Sequence, residues 1–323
     1  MSMPGHDPTA PTAQNYLGFA AECRGRSPAY ERLAVAVAGD QVVLEFLGTL
    51  PTVKRQPNLL FAGARYLLGA PADIGALRAL VTGRAGELTA VILARRTQTN
   101  EPARCATLLP ALALLPQPLA LLEVGASAGL TLLADRYSYD YDGHLVTGAD
   151  PLAPVLRCRA YGGVPLPQRV PEIAWRAGLD LNPLDVTDDD DMHWLRCLLW
   201  PGEGDRESRL ASAIGTARRM PPRVHRGDLL ADTAAVASQA PAGATLVVYH
   251  SAVLAYLGKE QRAQFARSMA QLDAVWLSNE APGVLPGVSV RERATRNFVL
   301  VRDGTDALAL TDAHGLSVEW LAG

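Results

Sequence analysis

A short apolar run that contains an acid, Leu119–Val124, passes directly into a turn of small residues at positions 125–129. A strand that enters such a turn and then a helix lets a ligand approach the backbone closely, because glycine has no side chain in the way. The unpaired N–H groups at the start of the helix then face the ligand. We therefore predict a strand, a ligand-binding turn and a helix over residues 130–136.

The apolar pattern on the two sides of this strand differs. Over residues 14–115 the apolar residues recur at intervals of three and four, which predicts helices. Beyond Pro118, short apolar runs that end in Gly, Asp or Asn alternate with amphipathic stretches, which is typical of a parallel sheet with helices between its strands. We predict a helical N-terminal cap over residues 1–117 and an α/β domain over residues 118–323.

Further strands are expected where these apolar runs occur. They are placed at residues 173–181, 223–227, 244–249 and 274–277, with helix over residues 191–220. The tail, residues 297–302, 307–310 and 316–320, is expected to form antiparallel strands that close the sheet edge. The Asp142-Gly143 pair favours a tight hairpin, so we predict a hairpin insertion at about residues 137–170.

Charge and cysteine usage exclude several classes of function. The 323 residues carry a net charge of −3 and no stripe rich in Lys and Arg, which argues against a nucleic-acid surface. Cys23, Cys105, Cys158 and Cys197 stand far apart without C-x-x-C spacing, so neither a metal site nor a disulfide framework is predicted. We expect a small-molecule ligand; the oligomeric state is not predicted.

Targeting signals are also missing from the sequence pattern. Residues 1–11 have neither a basic nor an apolar signal-peptide region. The longest apolar stretch, residues 108–124, is interrupted by Pro110, Pro116 and Pro118 and is shorter than the roughly 20 residues a membrane span requires. We expect a cytoplasmic protein with no membrane contact.

Three later strand ends carry motifs of their own. They are Gly178-Leu179-Asp180-Leu181-Asn182-Pro183, Arg226-Gly227-Asp228-Leu229-Leu230 and Val247-Val248-Tyr249-His250-Ser251-Ala252-Val253-Leu254. Together with the small-residue turn, and in this order, they resemble the class I S-adenosylmethionine-dependent methyltransferase fold over residues 118–323. The resemblance implies a Rossmann-like, seven-stranded, mostly parallel sheet with a C-terminal antiparallel hairpin.

The resemblance also implies a cofactor, S-adenosyl-L-methionine, and the residues that bind it. The first acid and the glycine turn hold the methionine end, an acid after the second strand binds the ribose hydroxyls, and an acid after the third strand meets the adenine. By position these residues are Glu123, Gly125, Ser127, Gly129, Asp180 and Asp228. A carboxylate suits the ribose because it accepts two vicinal hydroxyl hydrogens.

Two positions depart from the methyltransferase pattern. Ser127 stands where the middle glycine of G-x-G-x-G is usual. Asp180 follows Gly129 at more than twice the spacing of about 20 residues that is expected of the ribose acid, and Asp150 fits that spacing better. We favour Asp180, because a long helical stretch must separate the second and third strands.

A second likeness covers nearly the whole chain. The phrases at residues 54–58, 96–101, 123–129, 178–186 and 278–283 are similar to the uncharacterised family called domain of unknown function 2332. That likeness implies no established activity. The polar clusters at residues 54–58 and 95–101 are either contributions to a pocket or exposed faces.

Residues beyond the fourth and fifth strands are candidates for contact with substrate. His250 ends the fourth strand, where an imidazole can act as a general base, and otherwise it bonds to neighbouring backbone. Asn279 and Glu280 follow the fifth strand, at the edge where open α/β sheets bind ligands. They are candidate substrate contacts or, alternatively, loop-capping residues.

Two alternatives to methyl transfer remain open. Residues 125–129 also read G-x-S-x-G, the turn that exposes the nucleophile of α/β-hydrolases, with Ser127 as nucleophile and His250 or His314 as its histidine. The turn lacks an upstream His-Gly-Gly oxyanion motif. The third possibility is a binding protein that kept the methyltransferase fold without the chemistry.

Overall fold

The computed structural model describes residues 9–285, 287, 288 and 297–321. The helices are α1 Ala10–Cys23, α2 Pro28–Ala38, α3 Gln41–Gly48, α4 Pro57–Leu68, α5 Ile74–Gly83, α6 Ala85–Ala94, α7 Arg104–Ala113, α8 Asp189–Cys197, α9 Gly204–Arg219, α10 Thr233–Ala237 and α11 Lys259–Met269. The strands are β1 Leu119–Val124, β2 Ser138–Tyr141, β3 His144–Val146, β4 Val155–Arg157, β5 Arg159–Tyr161, β6 Ile173–Asp180, β7 Val224–Arg226, β8 Thr245–Ser251, β9 Val275–Glu280, β10 Asn297–Arg302, β11 Asp306–Asp312 and β12 Ser317–Trp320. Within these described stretches no helix has the length and apolar character needed to cross a bilayer.

The described chain divides into two compact units. One unit contains the helices up to residue 99 together with residues 189–208, and the other contains residues 100–188 and those from 209 onward. This division differs from the predicted boundary at residues 117 and 118. The physical reason is packing: α7 contacts β11 and β4 of the second unit, whereas α8 packs against α4 in the first.

The first unit is helical because its sequence carries both caps and apolar faces. Side chains of Ser27, Asp40 and Asp73 accept hydrogen bonds from backbone N–H groups in the first turns of α2, α3 and α5. Helix α4 ends at Gly69, which has a φ of 74°. The buried faces meet in one core, where the ring of Phe61 lies against Tyr16, Phe19 and Tyr30.

The second unit is built on a large, mostly parallel sheet flanked by helices. The described residues give the strand order β5-β12-β11-β10-β9-β8-β1-β6-β7, in which β6, β7, β8 and β9 run parallel with β1. One face packs on α10 and α11 through Leu122, Val248, Val236 and Phe265. Because side chains alternate along a strand, Glu123 and Tyr249 point to the opposite face.

The prediction of a seven-stranded sheet is wrong, because the described sheet has nine strands. The tail forms three antiparallel strands, β10, β11 and β12, and β5 from the insertion adds a further strand in parallel with β12. The predicted hairpin is present as β2 and β3, with Asp142 and Gly143 at positive φ in the turn. It forms a small second sheet with β4.

The predicted helix at residues 130–136 is also wrong. The segment after the glycine turn is a short 3₁₀ helix, Leu130–Leu133. It starts directly after Gly129, whose φ is 70°. The backbone N–H of Leu130 donates to Oδ1 of Asn100 at 2.8 Å, so a side chain from before α7 holds its first turn.

Candidate functional site

The predicted site residues meet at the carboxyl edge of the parallel strands. Strand β1 lies between β6 and β8, so the chain continues to opposite sides of β1 at this point. Ligands of open α/β sheets bind outside the carboxyl ends of the strands at such a switch point. Glu123 lies near the end of β1, Asp180 ends β6, and Asp228 lies two residues beyond β7. These acids stand on three adjacent strands at one edge.

The glycine turn, residues 125–129, bonds to the protein itself. The N–H groups of Gly125 and Ala126 donate to the carbonyl of Leu179 at 2.7 and 3.3 Å. The N–H of Ser127 donates to Oδ2 of Asp180 at 2.8 Å, and that of Gly129 donates to the carbonyl of Ala126. Since these donors have partners, the turn does not offer them to a phosphate group.

Packing explains why residues 125 and 129 are glycines. A Cβ at Gly125 would lie 2.3 Å from Cγ2 of Val253, and one at Gly129 would lie 2.8 Å from Cγ of Pro222. Both glycines also have positive φ, as does Ser127 at 52°. The turn is therefore shaped by its neighbours in the same unit.

Asp180 is the acid that the structure places beside the turn. Its Oδ2 accepts from the N–H of Ser127 and its Oδ1 accepts from the N–H of Asn182, each at 2.8 Å. The rival, Asp150, lies in the insertion, where Oδ2 accepts from Arg219 at 2.5 Å and Oδ1 from the N–H of Leu152. Of the two aspartates, only Asp180 belongs to the strand edge.

Asp228 is exposed and shapes the loop after β7. Its Oδ1 accepts from the N–H groups of Leu230 and Ala231 at 2.7 and 3.2 Å. Its own N–H donates to Oδ2 of Asp232. Of the three acids at this edge, Asp228 is the most exposed.

Glu123 is buried beside the hydroxyl groups of Thr131 and Tyr249. Its Oε1 accepts from the hydroxyl of Thr131, while Oε2 has no hydrogen-bond partner among the described residues. Burial raises the pKa of Glu123 to about 8, against the opposing effects of Thr131 and the charge of Arg104. The hydroxyl of Tyr249, directly across on β8, is also buried and also acts to lower the pKa of Glu123. Two hydroxyl groups thus lie beside the Glu123 carboxyl group under the turn.

Sequence reasoning missed Arg104 and Thr131. The guanidinium of Arg104 donates to the carbonyls of Ser251 and Ala313 at 3.0 and 2.9 Å, and the residue is 8% exposed. It ties the start of α7 to the end of β8. The sequence signal that could have identified Arg104 is a single arginine at the start of an otherwise apolar helix.

Asn100 and Glu101, from the polar cluster predicted at residues 95–101, lie at the same edge. Asn100 holds the 3₁₀ helix, and Oε1 of Glu101 accepts from Nε of Arg209 at 2.9 Å. Both residues are buried. Within this unit they support the backbone around the turn.

His250 does not offer a nitrogen to a substrate. Its ring is fully buried, Nδ1 lies 2.7 Å from Oε1 of Glu280, and Nε2 accepts from Nε1 of Trp276 at 3.0 Å. An indole N–H only donates, so Nε2 accepts this bond and Nδ1 donates to Glu280. We therefore assign His250 no general-base role.

The two residues predicted to contact substrate differ from each other. Asn279 is fully buried; its amide nitrogen donates to Oγ of Ser251 at 3.1 Å, and its Oδ1 accepts from Thr311 at 2.7 Å, which fixes it inside the sheet. Glu280 also accepts from the N–H groups of Val253 and Leu254, at 2.8 and 2.9 Å. Burial alone would raise the pKa of Glu280, but His250 and the two amides outweigh it and lower that pKa.

Ser127 lacks the surroundings of a hydrolase nucleophile. It is 3% exposed, and the first candidate histidine, His250, has both ring nitrogens engaged elsewhere. The second, His314, lies in the turn between β11 and β12, where its N–H donates to Oδ1 of Asp312. The positive φ of Ser127 is accounted for by the tight turn.

Comparison with known proteins identifies the family. The model of the family described as "Uncharacterized protein conserved in bacteria (DUF2332)" matches residues 13–320, so the chain belongs to this family. Neither the curated proteins nor the solved structures contain a match to the chain.

Proposed function

We propose that this member of the DUF2332 family binds S-adenosyl-L-methionine at the carboxyl edge of its sheet and transfers the methyl group to a small-molecule acceptor. One observation carries the proposal: Glu123, Asp180 and Asp228 stand at the ends of three adjacent strands, beside the point where the strand order reverses. A row of acids at that place suits a ligand that has hydroxyl hydrogens and a positive charge.

The strand order supports a Rossmann-like interpretation of the sheet. Counted along the chain, the five parallel strands are ordered third, second, first, fourth and fifth from the β7 edge. This order matches the beginning of the classic nucleotide-binding arrangement. An antiparallel strand, β10, follows the fifth, in agreement with the antiparallel element that the methyltransferase resemblance implies.

Asp180 has a carboxylate whose direction the folded chain fixes. Its Oδ2 and Oδ1 accept from the N–H groups of Ser127 and Asn182. A carboxylate held in this way suits a ribose, because vicinal hydroxyls donate to carboxylate oxygens.

The glycine turn favours a sulfonium nucleoside over a dinucleotide. Pyrophosphate binding needs free N–H groups at a helix start, whereas Ser127 and Leu130 donate to Asp180 and Asn100. The adjacent acids would repel phosphate. S-adenosylmethionine has no phosphate group for these acids to repel.

The proposed chemistry asks little of acid or base groups in the protein. Held by Glu123, Asp180 and Asp228, S-adenosylmethionine would supply a methyl group activated by its sulfonium centre. The chain then needs to align the two ligands and exclude water. The engagement of His250 with Glu280 and Trp276 is compatible with such a reaction.

Calorimetry with S-adenosylhomocysteine tests the proposal. We expect Asp180→Asn to weaken binding by about 1.5 to 3 kcal/mol, because the ribose hydroxyls lose a charged acceptor. Asp150→Asn is the matched control, since this aspartate also accepts from a backbone N–H and lies outside the strand edge. Equal affinities of both variants and the parent chain, or no binding by the parent chain, would reject the site.

An assay of turnover separates an enzyme from a binding protein. The parent chain is incubated with S-adenosylmethionine and a bacterial small-molecule extract, and formation of S-adenosylhomocysteine is followed. We expect formation that depends on the extract and falls in Asp180→Asn. Binding without such formation would support the non-catalytic alternative.

A further inference from the structure

The two polar clusters that follow α3 and α6 lie against each other in the first unit. Nζ of Lys54 donates to the carbonyl of Arg95 at 2.6 Å, and the hydroxyl of Thr97 donates to Oε1 of Gln56 at 3.2 Å. The sequence left these clusters as contributions to a pocket or as exposed faces. The contacts place both of them at one position on the helical unit.

The backbone of the second cluster is fixed at Arg96. Its carbonyl accepts from Nε1 of Trp194 at 2.9 Å and from the N–H of Gln98 at 3.1 Å. Lys54 is fixed at the tip of its side chain by the bond to Arg95. Because these positions are set by the folded chain, a ligand of Lys54 and Arg96 has less order to impose when it binds.

Arg95 and Arg96 are adjacent in the chain and differ in their partners. The guanidinium of Arg95 donates to the carboxylates of Asp190 and Asp191. Arg96 is exposed, and its guanidinium has no hydrogen bond or ion pair with any described residue. No acid of the described chain therefore neutralises its positive charge.

Most other arginines of the first unit do have an acidic partner. The pairs are Arg24–Glu31, Arg26–Glu203, Arg65–Glu207, Arg78–Asp40, Arg84–Glu87 and Arg206–Glu203. Lys54 has no such pair among the described residues. Burial lowers the pKa of Lys54, and the like charge of Arg96 lowers it further. The fold thus holds two cations close together without an acid to offset them.

We propose that Lys54 and Arg96 bind a doubly charged oxyanion, the phosphate group of a small phosphate monoester. The guanidinium of Arg96 presents a planar fork that matches two phosphate oxygens. The ammonium group of Lys54 has three donors, of which the carbonyl of Arg95 takes one. Two negative charges on the ligand match the two cations.

A small ligand fits this pair better than a nucleic acid or an anionic membrane. Those surfaces are bound through many basic residues, each of which adds to the affinity. Arg95 is paired with acids, and the guanidinium of Arg55 donates to two backbone carbonyls. Lys54 and Arg96 are what the two clusters leave for a ligand, and two cations suit one phosphate group.

The inference does not rest on the proposed function. Phosphate binding is measured on the full chain with no nucleoside present. Failure here and failure of S-adenosylmethionine binding are therefore separate results.

Calorimetry and amide NMR with methyl phosphate at pH 7.5 test the inference. A phosphate monoester has a second pKa of about 6, so it is doubly charged at this pH. We expect methyl phosphate to bind and to shift the amide signals of Arg96 and Thr97. Methyl sulfate has nearly the same shape but one charge, so it should bind about fivefold more weakly at the same ionic strength.

Arg96→Gln removes one cation without the loss of a side-chain hydrogen bond in the described chain. It should weaken methyl phosphate binding by about fivefold, the scale of an exposed ion pair. Arg32→Gln, at an exposed arginine of α2 in the same unit, is the matched control and should leave the affinity unchanged. Lys54→Gln should weaken binding by about tenfold, because the charge of a half-buried lysine is less screened by solvent.

Four results would overturn the phosphate site. Methyl phosphate does not bind, or methyl sulfate binds equally well. Arg96→Gln and Arg32→Gln bind with equal affinity, while their melting temperatures confirm that both are folded. Methyl phosphate binds but leaves the amide signals of Arg96 and Thr97 unshifted. The chain is retained on vesicles that contain phosphatidic acid and does not respond to methyl phosphate, which would assign the pair to a membrane surface.

Discussion

Two buried glutamates, Glu123 on β1 and Glu280 on β9, lie on either side of β8 and differ in charge. Glu123 lies beside the hydroxyl groups of Thr131 and Tyr249, and burial still raises its pKa to about 8. Glu280 has three donors on one oxygen, and its pKa is lowered. At neutral pH the first is therefore mostly protonated and the second is ionised.

The comparison shows that donor number, more than burial, decides the charge of a carboxyl group at this edge. Desolvation is the largest influence on both residues and acts in the same direction. Only Glu280 has enough donors to reverse it. A ligand that brings a donor would therefore change Glu123 more than Glu280.

The largest expected effect comes from removing the ionised member of the pair. We expect Glu280→Ala to lower the free energy of unfolding by about 3 to 5 kcal/mol, because His250, Val253 and Leu254 lose their common acceptor. Chemical denaturation measures this. Glu280→Gln keeps an acceptor and should cost about 1 to 2 kcal/mol. Equal losses in the two variants would contradict the role of Oε1.

The matching change at Glu123 should have the opposite sign. Between pH 4.3 and 8 the folded chain holds a proton on Glu123 that the unfolded chain has lost, so stability falls as pH rises. Glu123→Gln removes this loss and should stabilise the chain by roughly 3 kcal/mol at pH 7. The difference should vanish near pH 4. Denaturation curves between pH 4 and 8 measure this. If Glu123→Gln is no more stable than the parent chain at pH 7, the pKa of Glu123 is not raised as stated.

A smaller effect tests Val253, which links the surroundings of Glu280 to the glycine turn. Its N–H donates to Glu280, and its side chain packs on Gly125. We expect Gly125→Ala to cost about 2 to 4 kcal/mol, from left-handed strain plus the clash with Val253. Gly163→Ala is the control, because Gly163 also has a positive φ but no atom lies within 4 Å of an added Cβ. We expect it to lower the free energy of unfolding by about 1 kcal/mol. Val253→Ala should recover part of the loss at Gly125. If thermal denaturation shows equal losses of stability in Gly125→Ala and Gly163→Ala, the contact between Gly125 and Val253 does not limit residue 125 to glycine.

The smallest expected effect concerns Ser127. A serine-directed fluorophosphonate should not label the chain, because this serine is buried and His250 is engaged with Glu280 and Trp276. The measurement is mass spectrometry of the intact protein. Labelling that disappears in Ser127→Ala would favour the hydrolase alternative.

Local patterns predicted the strands well. The apolar runs located β1, β6, β7, β8 and β9, and the Asp142-Gly143 pair located the hairpin, because both signals depend on neighbouring residues. The pairing of β5 with β12 had no such signal. It joins Arg159–Tyr161 to a strand more than 150 residues later, and short strands gain their stability from tertiary partners.

The candidate site was predictable in position but not in hydrogen bonding. The acids were identified from the motifs at the strand ends and the methyltransferase resemblance, and they share one edge. The sequence could not show that Trp276 and Glu280 occupy both nitrogens of His250, since these contacts cross two strands. Nor could it show that Asn100 binds the N–H of Leu130, which leaves a 3₁₀ helix where a longer helix was predicted.

A crystal structure of the chain soaked with S-adenosylhomocysteine tests the central claim most directly. We predict the ribose hydroxyls on Asp180, the amino-acid end near Glu123 and the adenine toward Asp228. A nucleoside bound elsewhere, with no ribose hydroxyl on the carboxylate of Asp180, would contradict the account.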